Sequence, residues 1–166
     1  VVLGDRGKTV IVTFGSGPAG APARGAGGPS TDGRNGLAPL GFLLPRALVP
    51  EVMAAASEAG DLMAAEFVRT DGPRFSDDVT SPVDTEMEIL LRDRLVALFP
   101  ARFVGEEQGA FAATANGFCW VVDPHDGTRA FLEGKRGSAV SVALLRDGIP
   151  VLGVVSAPLS PGRRPD

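Results

Sequence analysis

The sequence predicts an α+β fold in which two helices pack on a largely antiparallel sheet. Three observations predict it. Apolar residues recur at helical spacing in two separate stretches, 50–67 and 84–99. Behind them come short apolar runs that read as strands, the last two joined at Asp147-Gly148, a strong hairpin signal. Length and composition agree: 166 residues suit one domain with a core, and 44% hydrophobic with 22% charged residues is ordinary for a globular chain.

Composition also excludes function classes. A net charge of −4 offers no basic field, so a nucleic-acid polymer is not an expected partner. No apolar run approaches a membrane span, and the opening residues lack a charged-then-apolar signal pattern. The single Cys119 lies in an apolar strand and has no second cysteine to pair with, which fits a reducing, cytoplasmic setting. The chain opens on Val1 rather than Met, so it reads as a fragment or as the product of an alternative start.

Residues 1–45 differ from the rest. They hold half of the chain's 22 glycines and no glutamate, and they read as a disordered or non-native extension. Gly4-Asp5-Arg6-Gly7-Lys8-Thr9 resembles a P-loop, but the glycine spacing is short and a β-like run, Val10 to Phe14, follows where a helix is required. Gly15-Ser16-Gly17-Pro18-Ala19-Gly20 follows that run as a dinucleotide fingerprint would. Pro22, Gly25, Gly27, Gly28 and Pro29 would break the helix it needs, so a nucleotide-binding protein using this loop is only a rival reading.

Order is expected from Pro50, which suits the first turn of a helix. Val52, Ala56, Ala59, Met63 and Phe67 form its apolar face. A turn-rich loop, 71–82, leads to a second helix from Asp84 to Phe99, with Met87, Leu91, Leu95 and Leu98 inward and Pro100 as its stop. Asp84 at its head reads first as a cap or first-turn acid favoured by the helix dipole. Phe103 to Gly105 reads as a short strand ending in Glu106 and Glu107, and residues 108–117 as a loop of small residues. Strands over 139–145 and 151–156 close the pattern.

Between these lies Trp120-Val121-Val122-Asp123-Pro124-His125-Asp126-Gly127-Thr128-Arg129-Ala130-Phe131. The run Cys119 to Val122 reads as a buried strand delivering Asp123 and Asp126 at its carboxyl end. Pro124 cannot continue a ladder, so a turn is expected there, followed by a short helix over 129–133. Two carboxylates suit a hard cation such as Mg2+, and free backbone N–H groups suit a phosphate. As the only histidine, His125 makes a poor zinc site, and its side chain reads as incidental.

These three elements, Val79-Thr80-Ser81-Pro82-Val83-Asp84, Gly105-Glu106-Glu107 and the Trp120–Phe131 run, together resemble the inositol monophosphatase family over residues 50–159. That family comprises Mg2+-dependent, lithium-sensitive phosphatases, including 3'(2'),5'-bisphosphate nucleotidase and histidinol-phosphatase branches. The resemblance implies that the chain is the first half of an alternating, layered α/β sugar-phosphatase fold. It implies a phosphoric monoester hydrolase acting on a small phosphorylated substrate, with a homodimer as the assembly to test. Glu106, Asp123 and Asp126, with the carbonyl of His125, would hold Mg2+. Glu106, Thr128 and Asp84 would serve the attacking water, and the N–H groups of Gly127 and Thr128 would bind the substrate phosphate. Val-Thr here has one residue more before Asp84 than the family pattern, and Arg129-Ala130 is closer to the histidinol-phosphatase and nucleotidase branches. The family continues past the hairpin and supplies another aspartate from a later Trp-Asp motif, whereas Trp120 is the single tryptophan here. The implied alternative is a catalytically impaired, metal-binding fragment.

Overall fold

A computed structural model describes residues 2–5, 8–13, 40–76, 80–111 and 117–160, with side chains from residue 46 onward. The elements run β1 (Val2–Asp5), β2 (Lys8–Thr13), α1 (Leu40–Phe67), α2 (Pro82–Leu98), β3 (Arg102–Gly105), β4 (Ala110–Phe111), β5 (Phe118–Asp126), α3 (Thr128–Leu132), β6 (Ala139–Arg146) and β7 (Ile149–Ala157). The strands form one sheet in the order β1-β2-β7-β6-β5-β3-β4. Every neighbouring pair is antiparallel except β3 with β5, which is parallel. Helices α1 and α2 pack against each other and on one face of the sheet, α1 over β6 and β7 and α2 over β5 and β3. The α+β expectation, two helices on a largely antiparallel sheet, holds.

The core lies between these layers. Val52, Ala56, Ala59 and Met63 of α1 and Met87, Leu91 and Leu95 of α2 are fully buried against Phe103, Trp120, Val142, Leu144, Leu152 and Val154. The alanines and Gly60 let α1 lie close to the sheet: a Cβ on Gly60 would sit 3.3 Å from the Pro158 side chain. Trp120 is fully buried, and its Nε1 donates to the Phe99 carbonyl at 3.0 Å, satisfying a group that would otherwise be costly to bury.

Five local expectations are corrected. Helix α1 begins at Leu40 rather than Pro50, so Pro45 and Pro50 both lie within it; each lacks a backbone N–H, and the apolar run around them outweighs the lost bonds. Phe67 and Leu98 are half-buried rather than core. Helix α2 starts two residues early because Pro82 fits the first helical turn after Ser81. The stretch expected as a plain loop contains β4, which pairs Ala110 and Phe111 with Val104 and Phe103. Strand β5 runs through Pro124 to Asp126, and the missing N–H is absorbed by a register shift between Asp123 and Asp126 rather than by a turn.

The hairpin falls as expected, with Asp147 and Gly148 both left-handed at φ 50° and 79°. Lys8 and Thr9 open a strand, as the rejection of a P-loop requires. The Gly15–Gly20 run lies outside the described residues. Among the described residues, no helix is long and apolar enough to cross a membrane.

Candidate active site

The site forms where β3 and β5, the parallel pair, end side by side, with Gly105 opposite Val122. That register places Glu106 beside Asp123. The two carboxyls lie within hydrogen-bonding reach, and burial first, then the Glu106 charge, push Asp123 up to about 6. Asp126 adds a smaller push, while the His125 N–H donates to Asp123 Oδ1 at 3.0 Å and pulls the other way. Glu107 is also raised, by burial and then by the charges of Asp84, Glu88 and Asp123. Asp126 is exposed at the strand end. Among the described residues, no three Asp, Glu, His or Cys side chains stand as a ready-made metal cage. Glu106 and Asp123 stand as a close pair, with Asp126 as their neighbour.

Beyond β5, Gly127 adopts φ 93°, a left-handed conformation that lets the chain enter α3 directly. Thr128 Oγ1 donates to the His125 carbonyl at 2.8 Å, so its oxygen keeps lone pairs for a further donor. Asp84 is buried, unlike the exposed Glu106 and Asp126. It is 1% exposed; Oδ2 accepts from the Ser81 N–H at 3.0 Å, capping α2, and Oδ1 meets His125 Nδ1 at 2.5 Å. The His125 side chain is correspondingly not incidental: it is buried in that contact, edge-on to Phe131 with ring centroids 4.5 Å apart.

Glu88, which falls where the resembled family's pattern expects it relative to Asp84, was given no role by sequence reasoning. It is 1% exposed, and its carboxylate accepts the N–H groups of Glu107 and Gln108 at 2.7 and 2.8 Å. It thereby holds the loop that carries Glu106. Gly105 makes room for it, since a Cβ there would overlap the Glu88 carboxyl group. A signal existed: Glu88 falls in the inward stripe of Asp84, Met87, Leu91 and Leu95, where a carboxylate needs a buried partner.

The acids gathered where the two parallel strands end are hard oxygen donors, the kind that suits a divalent cation. The chain belongs to the inositol monophosphatase family, whose model matches residues 46–163. A SuhB protein of Neisseria meningitidis is 37% identical over 110 residues, covering 63% of this chain and 42% of its own length. An inositol-1-monophosphatase of Mycobacterium leprae is 46% identical over 84 residues, covering 48% of this chain and 29% of the relative. A histidinol-phosphatase of Mycobacterium tuberculosis is 51% identical over 55 residues, or 33% of this chain and 21% of the relative. Among solved structures, the native SuhB of Bartonella henselae superposes with a TM-score of 0.62 at 27% identity, covering 70% of this chain and 49% of that one. The chain thus spans less than half the length of each of these relatives.

Proposed function

We propose that this chain carries the metal-holding part of an Mg2+-dependent phosphomonoesterase that hydrolyses a small sugar-alcohol or nucleotide phosphate. The observation that carries the reading is the Glu106–Asp123 pair: two carboxyls brought together at strand ends, one held up at about 6. Paired acids are unfavourable beside each other unless a proton or a cation lies between them. Their oxygens are hard donors, the type that suits Mg2+. Glu106, Asp123 and Asp126, with the His125 carbonyl, would hold the ion. Bound there, it supplies neutralising charge for a phosphoryl group and acidifies water.

The chain's own groups do the rest. Thr128, already donating to the His125 carbonyl, accepts a hydrogen bond from the attacking water and orients it. Glu106, exposed beside Asp123, takes the proton in preference to Asp84, whose oxygens are both engaged. The N–H groups of Gly127 and Thr128 hold the phosphate. Candidate substrates are myo-inositol phosphate, a 3'-phosphorylated nucleotide and histidinol phosphate, and the last draws support from the relative named for that activity.

A phosphate-release assay across these three esters, with and without Mg2+ and with added lithium, tests the reading. Release that needs Mg2+ and is inhibited by lithium is expected; release undiminished by a chelator would overturn it. Because the chain spans less than half of its relatives, a metal-binding unit without turnover is the second reading. Mg2+ binding by calorimetry with no release from any ester would select it.

A further inference from the structure

His125 joins more of the site than any other described residue. Its side chain is 1% exposed, as is that of Asp84, and the two meet at 2.5 Å across 41 positions of sequence. Its main-chain N–H donates to Asp123 Oδ1, and its carbonyl accepts from Thr128 Oγ1. A strand-end residue between two acids could serve through its main chain alone. Burying an imidazole there is costly unless it is hydrogen-bonded, and the bond it makes runs to the capping acid of α2.

We propose that His125 is a positioning residue: its Nδ1–H bond to Asp84 clamps the Asp123–Thr128 segment, the irregular end of β5 and the start of α3, onto the head of α2, fixing the directions of the Asp123 carboxylate and the Thr128 hydroxyl. This deepens the proposed reading: its metal-affinity and kinetic consequences rest on that reading, whereas the tautomer does not. The protonation of the ring follows from its partners. A carboxylate can only accept, so Nδ1 carries the proton. Nε2 is buried with no hydrogen-bond partner among the described residues, so Asp84 is the ring's one hydrogen-bond partner there. Phe131 packs edge-on and holds the ring in that orientation. The arrangement is that of a buried outer partner which aims the groups that touch the ligand.

Nitrogen-correlated NMR of the full chain at neutral pH should find the imidazole as the Nδ1–H tautomer, with a strongly downfield proton. His125→Leu should lose that anchor and weaken Mn2+ binding, used here as a paramagnetic probe, by about tenfold or more. His125→Asn should recover affinity to within about threefold, since its amide nitrogen lies as many bonds from the main chain as Nδ1. Where turnover is measurable, kcat should follow the same order with KM within about twofold. An Nε2–H tautomer would overturn the clamp. So would a folded His125→Leu chain with wild-type Mn2+ affinity, or an Asn variant no better than Leu. Should the Leu variant fail to fold, the tautomer and the Asn affinity still decide. Absence of phosphate release from the wild type would remove the phosphatase reading alone, because the tautomer and Mn2+ measurements do not use turnover.

Discussion

Asp123, raised by burial and by the neighbouring Glu106 charge, gives the site a pH dependence. In the unfolded chain Asp123 titrates near its ordinary value of about 4, whereas in the fold it titrates near 6. Between those values the folded chain binds the extra proton, so its stability falls as pH rises through that window. The measurement is a comparison of metal-free Tm with Asp123→Asn, which mimics the protonated form. The variant should match wild type near the bottom of the window and exceed it above, and saturating Mg2+ should remove the wild-type deficit. Asp123→Asn and Asp126→Asn should each weaken Mg2+ binding at least about tenfold, roughly 1.4 kcal/mol, by calorimetric titration. Gly105→Ala forces a Cβ into the Glu88 carboxyl group; a loss of about 1–3 kcal/mol in denaturant unfolding is expected for such overpacking. Although it continues through Pro124 to Asp126 instead of ending before it, the strand that carries Asp123 and Asp126 was legible from the apolar run Cys119 to Val122. The roles of Glu88 and the His125 ring were not, since each depends on which side chain faces it from another element.

At the scale of elements, α2 ties the site together through its inward stripe, with Asp84 and Glu88 reaching different turns one helical repeat apart. Glu88→Ala should free the Glu107 and Gln108 N–H groups, costing about 2 kcal/mol as two charge-assisted bonds are exchanged for water. It should also weaken Mg2+ binding, because the Glu106 loop loses its anchor. Unchanged unfolding and unchanged binding would show that the loop holds itself. Helical periodicity located both long helices, and the Asp147-Gly148 turn located the hairpin. Boundaries at prolines were misjudged in both directions: α1 passes through Pro50, and β5 passes through Pro124. Proline removes one donor, and an element that is well packed on both sides of it can carry that loss.

At the scale of the molecule, among the described residues the two long helices cover one face of the sheet. The opposite face presents Val121, Ala143, Gly153 and Val155 around a shallow hollow that includes Asp123 and Ser141, and Val121 is 38% exposed. Apolar surface of this kind drives association. The purified chain is therefore expected to self-associate in sedimentation velocity, and Val121→Lys to raise the monomer fraction. A monomer at high concentration would show that this face needs no cover. No pattern within single strands reveals which sheet face is left open, because alternation gives two faces and the partner of each is set by distant chain.

Trp120 gives the chain an internal lamp. It is the sole tryptophan, and the sequence has no tyrosine, so excitation near the red edge of protein absorbance reaches one indole. That indole is fully buried and tied to the Phe99 carbonyl, a setting that gives blue-shifted emission, and it lies three positions before Asp123 on the same strand. A cation entering between Asp123 and Glu106 is expected to change this emission through the shared strand, and a titration followed by fluorescence checks it. Occupancy of the cleft, refolding and the effect of each substitution can therefore be followed from the light of a single native side chain, without a label.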